Sequence, residues 1–115
     1  MLIKPITVAE TIPFIRQAAD LWGDDDRAEF VEYIAFNPEA GDLIPNTGGV
    51  RKVRWSRPGT GKRGGVRVIY FYYHEEAPLF LISIYAKSQR ENLSTEGIKI
   101  IRKLVMELKR KYERR

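Results

Sequence analysis

The chain contains no cysteine among its 115 residues. This absence excludes a disulfide framework and a thiolate metal site, and it fits a reducing compartment. No apolar run approaches the roughly 20 residues that a membrane-spanning helix needs. The first residues, Met1 to Ile6, include Lys4 and Pro5 and lack the apolar core of a signal peptide. We therefore expect a cytoplasmic protein with no membrane partner.

Histidine is also scarce, since His74 is the only one. One histidine without cysteines does not make a zinc site, and a ribonuclease with two catalytic histidines is excluded. Because His74 follows a predicted strand, we expect it to have a structural or solvent-exposed role. The acidic residues fall on predicted helices and in turns rather than in one cluster. We therefore expect neither a metal nor a cofactor.

Acidic residues are missing from the whole stretch between Leu43 and His74, in a chain whose net charge is +5. Cations crowded on one surface repel each other, so this stretch predicts an anionic ligand, and a nucleic-acid backbone is the natural one. A solvated basic surface without a ligand is the alternative. The basic residues of the stretch are Arg51, Lys52, Arg54, Arg57, Lys62, Arg63 and Arg67.

The hydrophobic pattern predicts an α+β domain in the order β-α-α-β-β-β-α, with helices packed on a mainly antiparallel sheet. No repeat or linker interrupts it, so we expect one domain over residues 1–115. Residues 38–49 are expected to form a loop. The predicted elements are a strand at 2–8, a helix from Pro13 that Gly23 ends, a helix capped by Asp24 that runs to about Phe36, strands at 50–55, 66–73 and 79–86, and a helix capped by Ser94.

The alternation of side chains along the predicted strands places several cations on one face of the sheet. Lys52 and Arg54 share a face of the strand at 50–55, and Arg67 lies near the same end if the next strand pairs with it. On the strand at 79–86, Tyr85 is expected to share a face with Leu79 and to lie beside Lys87. An aromatic ring next to cations favours stacking on an unpaired base, although packing within the sheet is the more common use of such rings.

The glycine-rich segment from Gly59 to Lys62 superficially resembles a phosphate-binding P-loop. That motif requires glycine where Ser56 stands, serine or threonine where Arg63 stands, and a helix afterwards, whereas a strand is predicted here. A mobile hairpin that carries Lys62 and Arg63 towards a backbone phosphate is the better interpretation. A plain flexible loop is the alternative.

Two long runs are more specific than any of these patterns. The run Gly41–Trp55 reads GDLIPNTGGVRKVRW, and the run Gly59–Tyr70 reads GTGKRGGVRVIY. Together with Tyr85-Ala86-Lys87 and the Asn37-Pro38 pair, they resemble the HigB-like branch of the RelE/ParE superfamily of toxins. The resemblance covers nearly the whole chain from the second helix onward, and the fold of that family agrees with the predicted element order.

The resemblance implies a toxin of a type II toxin–antitoxin pair that enters the ribosomal A site and cuts messenger RNA there. Its partners would be the messenger RNA, the ribosome and a cognate antitoxin with a helix-turn-helix domain. The catalytic residues that the resemblance implies are Lys52, Arg54, Arg67 and Lys87. The residues expected to bind RNA or the ribosome are Arg51, Arg57, Lys62, Arg63 and Tyr85.

The chain departs from the family in one respect. Some members use a tyrosine near the start of the last helix, and the corresponding residues 90–95 contain none. The general base is therefore left open between Lys52 and Lys87, while Arg67 suits the charge that develops on the phosphorus.

Two other functions compete with RNA cleavage. One is a basic module that binds RNA or DNA without cutting it, and the other is a ParE-like inhibitor of DNA gyrase. The segment Gly64–Tyr70 and Lys87 favour the ribonuclease.

Overall fold

A computed structural model describes residues 1–56, 65–87 and 93–114. These residues form five strands and three helices. The strands are β1 (Val8–Glu10), β2 (Asp42–Leu43), β3 (Val50–Trp55), β4 (Val66–Phe71) and β5 (Leu79–Ala86), and the helices are α1 (Ile12–Ala18), α2 (Asp24–Phe36) and α3 (Thr95–Tyr112).

The strands form one mixed sheet in the order β1-β5-β4-β3-β2, with β4 in the centre. Strands β2 to β5 pair antiparallel with their neighbours, and only β1 runs parallel to its neighbour, β5. This arrangement confirms the α+β prediction and the antiparallel pairing of the three central strands. Short connections between β3, β4 and β5 are the physical reason, since parallel neighbours need a long crossover.

The helices pack on both faces of the sheet. An apolar cluster on one face joins the sheet to α1 and α2 through Phe14, Phe30 and Ile34, and we call it the α1/α2 cluster. A second cluster on the opposite face joins the sheet to α3 through Ile101 and Val105, and we call it the α3 cluster. Alternating side chains of β4 belong to one cluster or the other, so this strand is buried on both faces.

A bulge in β5 changes the face to which its side chains point. Ile69 pairs with Ser83 but Tyr70 pairs with Leu81, so Ile82 is an additional residue on β5. Leu79 therefore belongs to the α1/α2 cluster, whereas Tyr85 belongs to the α3 cluster. The prediction that Leu79 and Tyr85 share a face is wrong, because one inserted residue reverses the alternation.

The N-terminal strand is shorter than predicted and begins later. Residues 2–8 were expected to form it, but β1 spans Val8–Glu10. The amides of Leu2 and Ile6 instead donate to the carbonyl oxygens of Phe36 and Ala35 at the end of α2. The preceding segment thus pairs with a helix end and leaves the sheet with a three-residue edge strand.

The boundary between α1 and α2 also differs from the prediction. Helix α1 ends at Ala18, and Gly23 adopts an extended conformation as the N-cap of α2. Asp24 is therefore the first helical residue rather than the cap. The three aspartates of the first turn of α2 still lie at the positive end of the helix dipole, as expected.

Two features of the central sheet were not anticipated. Strand β4 ends at Phe71 rather than at residue 73, because the pairing with both neighbours ends there. The segment expected to be a loop contains β2, whose Asp42 and Leu43 pair with Lys52 and Arg51. A strand of two residues is too short to show an alternating pattern in the sequence.

The last helix follows its prediction closely. The Ser94 hydroxyl caps α3 by accepting from the Gly97 amide at 3.0 Å. At the other end, the Glu76 amide donates to Nδ1 of His74, so Nε2 carries the proton and donates to the Tyr112 carbonyl oxygen at 2.7 Å. His74 thus has a structural role, since it holds the end of α3 against the sheet. No helix in the described part of the chain is long and apolar enough to cross a membrane.

Candidate active site

A cavity of about 300 Å³ opens where β2, β3 and β4 lie beside the end of β5. The four residues expected to be catalytic line it together, and one carboxylate joins them. The structure therefore brings the four predicted cations to a single place. The lining residues are Asp42, Lys52, Arg54, Arg67 and Lys87.

Strand pairing explains why these side chains meet. Arg54 of β3 pairs directly with Arg67 of β4, and Lys52 of β3 pairs with Asp42 of β2. Side chains of directly paired residues lie on the same face, with Cβ atoms about 4.5–5.5 Å apart. Lys87 follows β5 immediately and reaches the cavity from the other side. The cavity is thus built from rigid backbone on at least three strands.

Arg67 is the least exposed of these cations. Its side chain lies on the central strand and is only 8% exposed. Burying a guanidinium requires interactions that compensate for lost hydration, and Arg67 does interact with its surroundings. Burial and strand pairing on both sides therefore restrict where this side chain can lie, and pre-positioning of this kind is what a catalytic or binding site needs.

Tyr85 lies next to Arg67, but its side chain is buried. The two residues are paired across β4 and β5, and Tyr85 is 3% exposed within the α3 cluster. A base that stacks on a ring needs one open face, and this placement provides none. The structure therefore does not favour Tyr85 as a stacking residue and gives it a role in packing beside Arg67.

Arg51 is directed away from the cavity. Its Nη1 donates to the carbonyl oxygens of Gly41 at 2.8 Å and of Glu39 at 3.3 Å, and its Nη2 lies 3.7 Å from the Glu39 carboxylate. Arg51 therefore stabilises the segment that leads into β2. This role does not support the expected contact with RNA, because the guanidinium is already engaged.

Tyr70 fixes the same segment from within the sheet. Its hydroxyl accepts from the Gly41 amide at 2.9 Å and donates to the Pro38 carbonyl oxygen at 2.7 Å. Burial raises the pKa of this hydroxyl to about 12. The protonated form that makes both hydrogen bonds is therefore favoured, and the segment before Asp42 is held on two sides.

Three expected binding residues, Arg57, Lys62 and Arg63, lie outside the described residues. Among the described residues, no group of three or more histidine, aspartate or glutamate side chains could hold a metal ion.

Sequence reasoning missed Asp42. It stands in a segment interpreted as a loop, and nothing in the spacing of its neighbours indicated that it would pair with Lys52. The one available signal was its position at the start of the run that carries the family resemblance.

Comparison with known families agrees with this geometry. Residues 36–114 match the family model described as the RelE toxin of the RelE/RelB toxin–antitoxin system. The matched segment is well over half of the chain, and it contains every residue that lines the cavity. The α+β fold with five strands and three helices is consistent with RelE-like toxins. The chain therefore belongs to the RelE toxin family, whose members are the toxins of type II toxin–antitoxin pairs and have a cognate antitoxin as partner.

Proposed function

We propose that this protein is a cytoplasmic endoribonuclease of the HigB-like branch, which cleaves messenger RNA on the ribosome and thereby inhibits translation. The observation that carries the proposal is the convergence of Lys52, Arg54, Arg67 and Lys87 on one cavity of the sheet. We further propose that residues 1–115 act as one toxin domain and that the antitoxin has a helix-turn-helix domain.

RNA cleavage suits a cavity of this kind because RNA supplies its own nucleophile, the 2′-hydroxyl group. The protein needs to align the 2′-oxygen with the adjacent phosphorus, neutralise the charge that develops there and transfer two protons. Positioned cations stabilise such a charge more effectively than water does, since they are already oriented.

The position of each cation suggests its role in the reaction. Arg67 is rigid and buried, and its guanidinium suits forked contacts to two phosphate oxygens. Arg54 is its direct neighbour and is more exposed, which suits contact with the RNA backbone as the chain enters. Lys52 and Lys87 add positive charge on either side. This set supplies the electrostatic stabilisation, so we propose cleavage without a metal.

Arg57, Lys62 and Arg63 are proposed to bind phosphates of the messenger RNA or of the ribosome. The support comes from the sequence alone, where they flank or lie within the glycine-rich segment between β3 and β4. Their removal is expected to weaken binding and to reduce its dependence on salt, with a smaller effect on the cleavage step.

Pulse labelling after induced expression tests this function against its competitors. An RNA-cleaving toxin is expected to stop amino-acid incorporation soon after induction while thymidine incorporation continues at first. A selective fall in thymidine incorporation would instead indicate a gyrase inhibitor of the ParE type. If the incorporation of amino acids and of thymidine both stay unchanged, the result would instead indicate a basic binding module without toxic activity.

A further inference from the structure

The cavity contains a proton-accepting group that the predicted catalytic set lacks. Among the described residues that line it, Asp42 is the only carboxylate, and the other four are lysine or arginine. Protonated lysine and arginine side chains carry hydrogen-bond donors and no acceptor, whereas an ionised carboxylate only accepts. Cleavage requires a group that removes the proton of the 2′-hydroxyl, and the cations are poor candidates for that step.

The chain holds Asp42 in place more firmly than its exposed position on an edge strand suggests. The residue before it, Gly41, is fixed through its amide by the buried hydroxyl of Tyr70 and through its carbonyl by Arg51. Gly41 also lies so close to the sheet that an added Cβ would stand 2.9 Å from the Lys52 carbonyl oxygen. Two hydrogen bonds and a close approach to the sheet therefore set the position of the backbone from which the Asp42 side chain enters the cavity.

Asp42 and Arg67, the group proposed to meet the phosphate, line the same cavity and are connected through the strand pairing. Asp42 is paired with Lys52 on β3, two residues from Arg54, which in turn pairs with Arg67. An RNA strand whose reacting phosphate contacts Arg67 can cross the cavity in two directions, and one of them places the preceding ribose towards β2. In that orientation the carboxylate is on the side of the 2′-hydroxyl and not of the leaving group.

We infer that Asp42 is the general base of the cleavage reaction, an assignment that rests on the proposed ribonuclease function. A carboxylate oxygen of Asp42 takes the proton of the 2′-hydroxyl as the 2′-oxygen forms its bond to phosphorus. The bond from phosphorus to the 5′-oxygen breaks, its electron pair stays on that oxygen, and a proton from Lys87, Lys52 or water completes the 5′-hydroxyl. The products are a 2′,3′-cyclic phosphate and a 5′-hydroxyl end.

The test compares Asp42→Asn with the wild type in single-turnover cleavage of a defined messenger RNA on ribosomes, with toxin at saturation. The amide keeps the size of the side chain and removes its basicity, so the cleavage rate should fall by about 100-fold or more. Binding to ribosomes that carry an RNA with a 2′-deoxy residue at the cleavage site should stay within about threefold of wild type, an expectation for a group that acts in the transition state. Asp42→Glu should restore part of the rate. Asp25→Asn, the same change on the exposed first turn of α2, serves as the matched control.

A second substrate distinguishes the loss of a general base from the loss of the group that protonates the leaving oxygen. In an RNA whose 5′-bridging oxygen at the cleavage site is sulfur, the leaving group departs without a proton, so only the base step still needs assistance. The defect of Asp42→Asn should persist on this substrate. If the defect vanishes there, or arises only from lost binding, or is absent on the ordinary RNA while the wild type cleaves, the assignment of Asp42 is wrong. A wild type that does not cleave contradicts the proposed function itself, and the assignment falls with it.

Discussion

At the scale of single residues, Arg67 carries the largest share of the proposed chemistry. It is buried on the central strand, and its neighbours Arg54 and Tyr85 lie directly across from it on either side. Such a side chain contributes through its fixed position, because the cost of orienting it is met during folding rather than during the reaction.

We predict that Arg67→Ala lowers the single-turnover cleavage rate by about 100- to 1,000-fold, as expected for the loss of one group that stabilises a transition-state charge. Ribosome binding should survive, since the other cations remain. Arg67→Lys keeps the charge and loses the forked geometry, so it should recover only part of the rate. Arg16→Ala, which removes an exposed cation from α1, is the control. Normal cleavage by saturating Arg67→Ala would show that Arg67 only binds.

Tyr70 is expected to contribute measurably to the stability of the fold. Tyr70→Phe leaves the buried Gly41 amide and Pro38 carbonyl without their partner, so we predict a loss of about 1–3 kcal/mol in the free energy of unfolding. Urea denaturation measures this. Tyr73→Phe is the matched control, since the Tyr73 hydroxyl makes no hydrogen bond within the described residues. Equal stabilities of the two variants would contradict the role given to Tyr70.

The same hydroxyl should make stability depend on alkaline pH. Burial raises the pKa of Tyr70 to about 12, whereas an unfolded tyrosine titrates near 10. Between these values the unfolded chain loses its proton first, so stability is fully present below about pH 10 and decreases towards pH 12. Other groups titrate in this range, so the informative quantity is the difference between wild type and Tyr70→Phe. Between about pH 10 and 12 the free energy of unfolding should fall more steeply for the wild type than for Tyr70→Phe. If the two proteins lose stability in parallel, the raised pKa assigned to Tyr70 is wrong.

At the scale of elements, the short strand β2 matters most for the site, because it carries Asp42. We predict that Gly41→Ala displaces this strand, since the new Cβ would lie 2.9 Å from the Lys52 carbonyl oxygen and 3.0 Å from the Tyr70 hydroxyl. Stability should fall by about 1–3 kcal/mol. Cleavage should fall by up to about 100-fold, because a small misplacement of a catalytic group has large effects.

Gly23→Ala is the control for this substitution, since nothing lies within 4 Å of a Cβ added there. Thermal melting and single-turnover cleavage are to be measured for both variants. A Gly41→Ala protein as active and as stable as Gly23→Ala would show that the position of β2 does not matter.

The elements also show how far the sequence predicts this structure. Strands β3 and β5 have the predicted bounds, and helix α3 begins after the predicted Ser94 cap. The apolar stripe of α3, its cap and the turn residues that flank the strands are the signals that predict these elements. Pairing of β3 with β4 then brings Lys52, Arg54 and Arg67 together, as the alternation of their side chains predicted. The grouping of Lys87 with them came from the family resemblance.

The remaining features depend on tertiary contacts that have no local pattern. The bulge at Ile82 reverses the direction of Tyr85, and it depends on how β5 fits β4. The partners of Arg51 are two backbone carbonyls and the Glu39 carboxylate, all in a segment without periodicity, so its charge alone suggested RNA. Asp42 was missed for the same reason, since β2 exists only by pairing with β3.

At the scale of the whole molecule, the distribution of charge matches the proposed task. Cations gather on β3, β4 and the end of β5, while three aspartates lie at the start of α2, which packs on the other face of the sheet. If RNA is the substrate, as proposed, we expect this charge distribution to attract it to the α3 face of the sheet.

We predict that cleavage needs no metal bound to the toxin. Toxin that has been treated with a chelator and dialysed should cleave messenger RNA at the untreated rate, on ribosomes kept intact by magnesium in the buffer. The reason is that cations of the cavity supply the stabilising charge that a metal would otherwise provide. Loss of activity after chelation, with recovery when one metal is returned to the toxin, would contradict this prediction.

The most direct test of the central claim is the mapping of transcript 5′ ends after induced expression. The wild type should generate new 5′-hydroxyl ends inside translated coding regions within minutes, and Arg67→Ala, expressed to the same level, should not. Ends confined to translated regions would support cleavage on the ribosome. If the wild type stops growth but produces the same 5′ ends as Arg67→Ala, the proposed RNA cleavage at this cavity is wrong.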